Sequence, residues 1–108
     1  MGVLTMNAPP IITENATPTA GANVILTDSD SDGLMTLTPA GTLATLTVTL
    51  PTNALTQIGR KRTIFTTRAI TALTVNGATT IYNAPAALAV GDSVTFIKVG
   101  DNMWSRVA

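Results

Sequence analysis

The sequence predicts an all-β fold: an antiparallel β-sandwich or barrel, jelly-roll-like, over residues 23–108, preceded by an extended N-terminal arm over residues 1–22. Three observations carry this expectation. No stretch sustains the apolar spacing of a helix, while short runs of alternating apolar and polar residues recur. Turn-forming residues punctuate the chain about every 8–12 residues, the spacing found in sandwiches and barrels. Threonine, β-branched and suited to half-wetted pleated surfaces, makes up roughly a fifth of the chain.

The arm is set apart by Pro9-Pro10 and Pro18, because paired prolines hold an extended backbone that is poor in ladder hydrogen bonds. Its apolar pair, Ile11-Ile12, makes Pro9, Pro10, Ile11 and Ile12 the candidate partner-binding residues. The first expected strand is 23–27, followed by the acidic turn Asp28-Ser29-Asp30-Ser31-Asp32-Gly33 and a strand over 34–38. After the turn Pro39-Ala40-Gly41, residues 42–50 carry the cleanest alternation. There Leu46, Val48 and Leu50 are expected to face inward, and Thr45, Thr47 and Thr49 outward. Pro51 ends that strand, and residues 52–58 are expected to form a loop.

Strands are expected over 62–68 and 70–75, and Asn76-Gly77 carries the two-residue hairpin signature leading into 78–82. Residues 83–87 then cross to a short segment at 88–90. The chain ends in a hairpin: a strand over 93–99, a turn on Gly100-Asp101-Asn102, and a closing strand with Trp104, the single tryptophan. Within its first strand Val94 and Phe96 point one way, and Thr95, Ile97 and Val99 the other. Both faces are largely apolar, more than a small isolated domain readily hides.

Composition narrows the function. At 108 residues there is room for one core, and a chain of this size buries only about two-thirds of its unfolded surface. Charged residues make up 11% of the chain against about 25% in typical domains, and the formal net charge is zero. A surface so poor in charge is prone to associate. A neutral chain lacks the basic field that a general nucleic-acid binder needs to displace counterions. Without cysteine, neither a disulfide framework nor a thiolate metal site can be built. The N-terminus lacks the charged and apolar regions of a signal peptide. No apolar run approaches the roughly 20 residues of a membrane-spanning helix. The Asn15-Ala16-Thr17 sequon is expected to be coincidental.

Residues that could carry chemistry are few. Asp28, Asp30 and Asp32 followed by Gly33 match the front of an EF-hand calcium loop, but the glutamate that would complete it falls on Pro39. Strand-like flanks exclude an EF-hand and favour an acidic turn. Gly59-Arg60-Lys61-Arg62 concentrates half of the basic residues. It reads as a solvated turn or as charges paired across subunits, since none of the four aromatic residues interleaves with it as a stacking platform. With neither histidine nor cysteine, the usual nucleophile–base pairs cannot be assembled. A glycosidase needs two carboxyls roughly 5–10 Å apart, whereas Asp92 and Asp101 bracket a strand about 23 Å long. Trp104 is expected to pack in the core rather than to stack on sugar. The expectation is no enzyme, no cofactor and no metal.

Two stretches, Ile58-Gly-Arg-Lys-Arg-Thr-Ile64 and Ala89-Val-Gly-Asp-Ser-Val-Thr-Phe-Ile97, with the ending Asp101-Asn-Met-Trp-Ser-Arg-Val107, resemble a β-module of tailed-phage virion proteins. The likeness extends over residues 42–107 and takes in Ile70-Thr-Ala-Leu-Thr-Val75 and the Thr-rich strand that ends at Pro51. It implies a β-structured virion component, usually trimeric, of the head-decoration, head-fibre, tail-fibre or tailspike kind. The absence of a long shaft in these residues favours a capsid decoration protein, made in the bacterial cytoplasm and placed on the capsid surface. Its partners would be itself, as a homotrimer, and the phage major capsid protein, with no nucleic acid and no membrane. Ile97 and Val99 are then expected at the subunit interface and Phe96 inside. The alternative is a tail-fibre or tailspike tip that binds a host receptor or glycan.

Overall fold

In the computed structural model, which describes residues 11–51 and 55–108, the chain is all-β. Its strands are β1 (Ile11–Ala16), β2 (Asn23–Ile25), β3 (Asp32–Leu37), β4 (Leu43–Thr49), β5 (Lys61–Thr66), β6 (Ile70–Asn76), β7 (Thr80–Tyr82), β8 (Ser93–Gly100) and β9 (Met103–Arg106). The strands β1, β3 and β5 lie side by side in parallel in one sheet, and β2, β4 and β6 lie in parallel in the other. The chain thus alternates between two sheets and advances by one strand spacing per circuit, which is the winding of a β-solenoid. This corrects the antiparallel sandwich or barrel expected from the sequence. Parallel neighbours normally need a long crossover, often a helix. Here the crossover from β1 to β3 is residues 17–31, and it contains β2 of the facing sheet.

The C-terminal end is built differently. β8 pairs antiparallel with β5, β9 antiparallel with β8, and β7 parallel with β9, so the larger sheet runs β1-β3-β5-β8-β9-β7. The hairpin expected there is present, with an irregularity between Lys98 and Gly100 and a left-handed Asn102 (φ 52°) in its turn. It closes the solenoid with antiparallel pairing and brings Trp104 into the core, fully buried, with its indole N–H donating to Pro51 O at 3.0 Å.

In-register parallel pairing stacks like positions on like. Val24, Val48 and Val75 form one inward row, Leu46 and Leu73 another, and Leu43 and Ile70 a third. From the other sheet Met35 and Ile64 lie in register, and Ile64 pairs in turn with Val94; Leu37 lies beside Thr66. Leu46, Val48 and Leu50 are buried as their alternation predicted.

The body of the fold starts earlier than expected, because Ile11–Ala16 pairs along the whole of β3. Residues 11–16 are therefore a strand of the sheet, within the segment read as an arm, while Pro9 and Pro10 lie outside the described residues. The alternation along β1 is faint, with Ile12 half-buried and Ile11 exposed, which hid it in the sequence. Nor is Asn76-Gly77 a hairpin turn: β6 pairs with β4, and β7 with β9. Gly77 has φ 100°, and a Cβ there would come within 2.3 Å of Leu50 O, so the glycine serves close packing against the previous circuit. The segment expected at 88–90 contributes one bridge, between Leu88 and Ile70. Among the described residues no helix is long and apolar enough to cross a membrane.

Candidate functional site

The parallel stack brings the two charged stretches of the sequence together. The acidic turn leads into β3 and the basic turn into β5, so the two corners lie one above the other. Alternation along β5 puts Arg62 on the same face as Ile64 and Thr66, which is the inside, and Arg62 is 1% exposed. It lies in register with Gly33 and Phe96. A Cβ at Gly33 would stand 3.0 Å from Arg62 Cδ and from Ile12 Cγ1, so glycine leaves the space that the guanidinium stem occupies.

A buried guanidinium must find acceptors for its donors. Arg62 Nη1 donates to Thr27 O at 2.8 Å, Nη2 to Ser29 O at 3.2 Å and Nε to Ser31 O at 3.2 Å. Burial pulls its pKa below the ordinary guanidinium value, and the negative charges of Glu14, Asp28 and Asp32 oppose that pull. The acidic turn thus wraps a cation that belongs to the chain.

Its carboxylates do not converge. Asp28 Oδ1 accepts from the backbone N and the hydroxyl of Thr56, at 3.0 and 2.6 Å. Asp30 pairs with Arg60 at 2.8 Å, and this bond holds the Asp30 carboxyl below the usual carboxylate range and the Arg60 guanidinium above its own. Asp32 Oδ1 accepts from the Lys61 backbone N at 2.9 Å. Among the described residues no three metal-ligating side chains come together. Arg60 and Arg62 are likewise engaged within the chain.

Sequence reading missed a second buried cation. Lys98, 4% exposed, donates from Nζ to Thr56 O at 2.6 Å. The signal was available, since Lys98 shares its parity with Val94 and Phe96, as Arg62 does with Ile64. Thr56, which links Asp28 and Lys98, had no such signal.

The remaining expected residues fall as follows. Phe96 is buried, while Ile97 and Val99 face out of the larger sheet, Ile97 beside Lys61 and Ser105. Ile11 is 70% exposed. Trp104 is sealed inside and offers no stacking surface. Asp92 accepts from the Ala89 backbone N at 2.9 Å in a turn, and Glu14 binds the Thr27 hydroxyl at 2.7 Å.

On the outer side of the smaller sheet the stack produces a polar row that sequence reading did not single out. Thr49 lies beside Asn76 in the ladder, and its Oγ1 is 2.7 Å from Asn23 Oδ1 and 2.8 Å from Asn76 Oδ1. Comparison with protein-family models, with curated proteins and with solved structures finds no match to this chain.

Proposed function

We propose that the chain is a non-enzymatic virion protein that decorates a bacteriophage capsid as a homotrimer. The observation that carries this reading is where the charge goes. The acidic and basic clusters, the best candidates for chemistry, lock one circuit of the solenoid to the next. The surface is left poor in charge and studded with exposed Ile11, Ile25, Tyr82, Val90, Val99 and Val107. Such a surface suits a subunit that works by being covered. The resemblance of residues 42–107 to phage virion modules supplies the class.

In this reading the outer face of β8, at Ile97 and Val99, meets the next subunit, and Pro9 and Pro10 together with Ile11 and Ile12 of β1 grip the major capsid protein. Function follows from mass action: a ligand of the assembled lattice alone stabilises that lattice. Two measurements test it. Quantitative gels of purified particles should show many copies per particle, whereas few copies would favour the tail-tip alternative. Ile97→Asp should turn a trimer into a monomer in sedimentation while leaving thermal unfolding cooperative, because the side chain faces outward. A wild-type chain that is monomeric at micromolar concentration would sink the trimer.

A further inference from the structure

We propose that the cleft beside the Asn23–Thr49–Asn76 row binds a neutral carbohydrate. The cleft is a shallow depression of about 580 Å³, wide open to solvent and lined by Asn23, Thr49, Asn76, Thr79 and Asn102 together with Gly77 and Ala78. None of its lining residues is ionisable. A charged ligand would gain no counter-charge there. A ligand rich in hydroxyl groups would meet carboxamides and hydroxyls that both donate and accept.

The row itself dictates that mixture. Thr49 Oγ1 is within hydrogen-bonding reach of both flanking asparagines, yet a hydroxyl has one proton and can donate to only one of them. The other amide must turn its nitrogen to Oγ1 and donate, since amide oxygen and nitrogen are interchangeable in outline. One asparagine then presents an NH₂ to the cleft and the other a carbonyl oxygen. A donor and an acceptor held side by side match a pair of neighbouring sugar hydroxyls.

Backbone hydrogen bonds and close packing hold the frame, which limits the ordering cost of binding. The Asn76 carbonyl accepts from Leu50 N at 2.8 Å, and the Asn102 carbonyl from Thr80 N at 3.2 Å. Gly77 packs against Leu50. Because no aromatic side chain lines the cleft, affinity rests on hydrogen bonds and falls in the millimolar range. The inference does not depend on capsid decoration and holds for a head or a tail location alike.

Saturation-transfer NMR on the full chain with maltose, cellobiose, lactose and chitobiose tests it, with glucose 6-phosphate as the charged comparator. At least one neutral disaccharide should receive transfer. Asn76→Ala and Asn102→Gly should each weaken its binding about tenfold, the loss of one hydrogen bond. Asn102 has a left-handed φ of 52°, so glycine there keeps the turn, and circular dichroism melting verifies the fold of both variants. The proposal fails if no neutral sugar receives transfer or if both variants bind as the wild type does. Stronger transfer to glucose 6-phosphate than to every neutral sugar would overturn it too.

Discussion

The acidic corner and the asparagine–threonine row are made by the same device and end in opposite states. In both, the stacking of successive circuits brings polar groups together, Arg62 reaching the turn before β3 and Asn23 reaching Thr49 diagonally from its place beside Thr47. At the corner the central group, Arg62, is buried, and every donor described for it reaches a protein acceptor. On the outer row the central group, Thr49, is half-exposed, and its hydrogen-bonding neighbours Asn23 and Asn76 face solvent. Burial raises the cost of an unmet polar group, so the interior stack is nearly complete, with Asp28 Oδ2 the one buried side-chain oxygen among the described residues that meets no partner. Exposure removes that demand and leaves hydrogen-bonding capacity for a ligand. One stack is spent on stability, and the other is free for recognition.

Substitutions at the two centres should show this contrast. Arg62→Met keeps the apolar stem but strips donors from Thr27 O, Ser29 O and Ser31 O, and leaves Glu14, Asp28 and Asp32 without the buried cation. It should cost about 3–5 kcal/mol, as removal of one partner from a buried charged network does, and urea unfolding would read the loss. A variant within about 1 kcal/mol of the wild type would show that the corner is not a closed network.

Thr56→Val is next in size. It removes the hydroxyl that bonds Asp28 Oδ1 at 2.6 Å and Ser29 O at 2.9 Å, while keeping volume and the backbone bond. The expected loss is about 1–3 kcal/mol, the worth of a hydrogen bond to a charged group, since Asp28 Oδ1 keeps the Thr56 backbone N and Ser29 O keeps Arg62 Nη2. The same substitution on the open row, Thr49→Val, should move the unfolding midpoint much less, because water replaces the lost partner. Equal losses at the two threonines would erase the contrast.

The smallest effect is a pH dependence. Arg60 lowers the Asp30 pKa in the folded chain, so the pair's contribution is present above the unfolded carboxylate value and is lost as pH falls through the folded one. Thermal stability should therefore drop on acidification below about pH 4, and Asp30→Asn should flatten part of that slope. Asp30 is exposed and Arg60 half-buried at the surface, so the change is small and shrinks with added salt.

Much of this was legible in the chain. Alternation over 42–50 placed Leu46, Val48 and Leu50 inside, the closing hairpin followed from its turn residues, and the burial of Trp104 from its apolar bulk beside Met103 and Val107. Parity also held the answer for Arg62 and Lys98, although a charged residue inside a strand invites the opposite assignment. Other features were not legible. The strand at Ile11–Ala16 was masked by its polar residues and by the prolines before it. Asn76-Gly77, a strong local hairpin signal, was overruled because β6 found its partner in the preceding circuit.

Local sequence was enough for the all-β character, for the inward faces of β4 and β8, and for the closing hairpin. Those are local matters, governed by propensity, period and turn chemistry within a few residues. The solenoid winding, the enclosure of Arg62 by the acidic turn and the meeting of Asn23, Thr49 and Asn76 arise instead from the assembled circuits. The reason is physical. Period-two alternation states which face a residue takes but not which strand lies beside it, and that choice is made by the packing of whole circuits against one another.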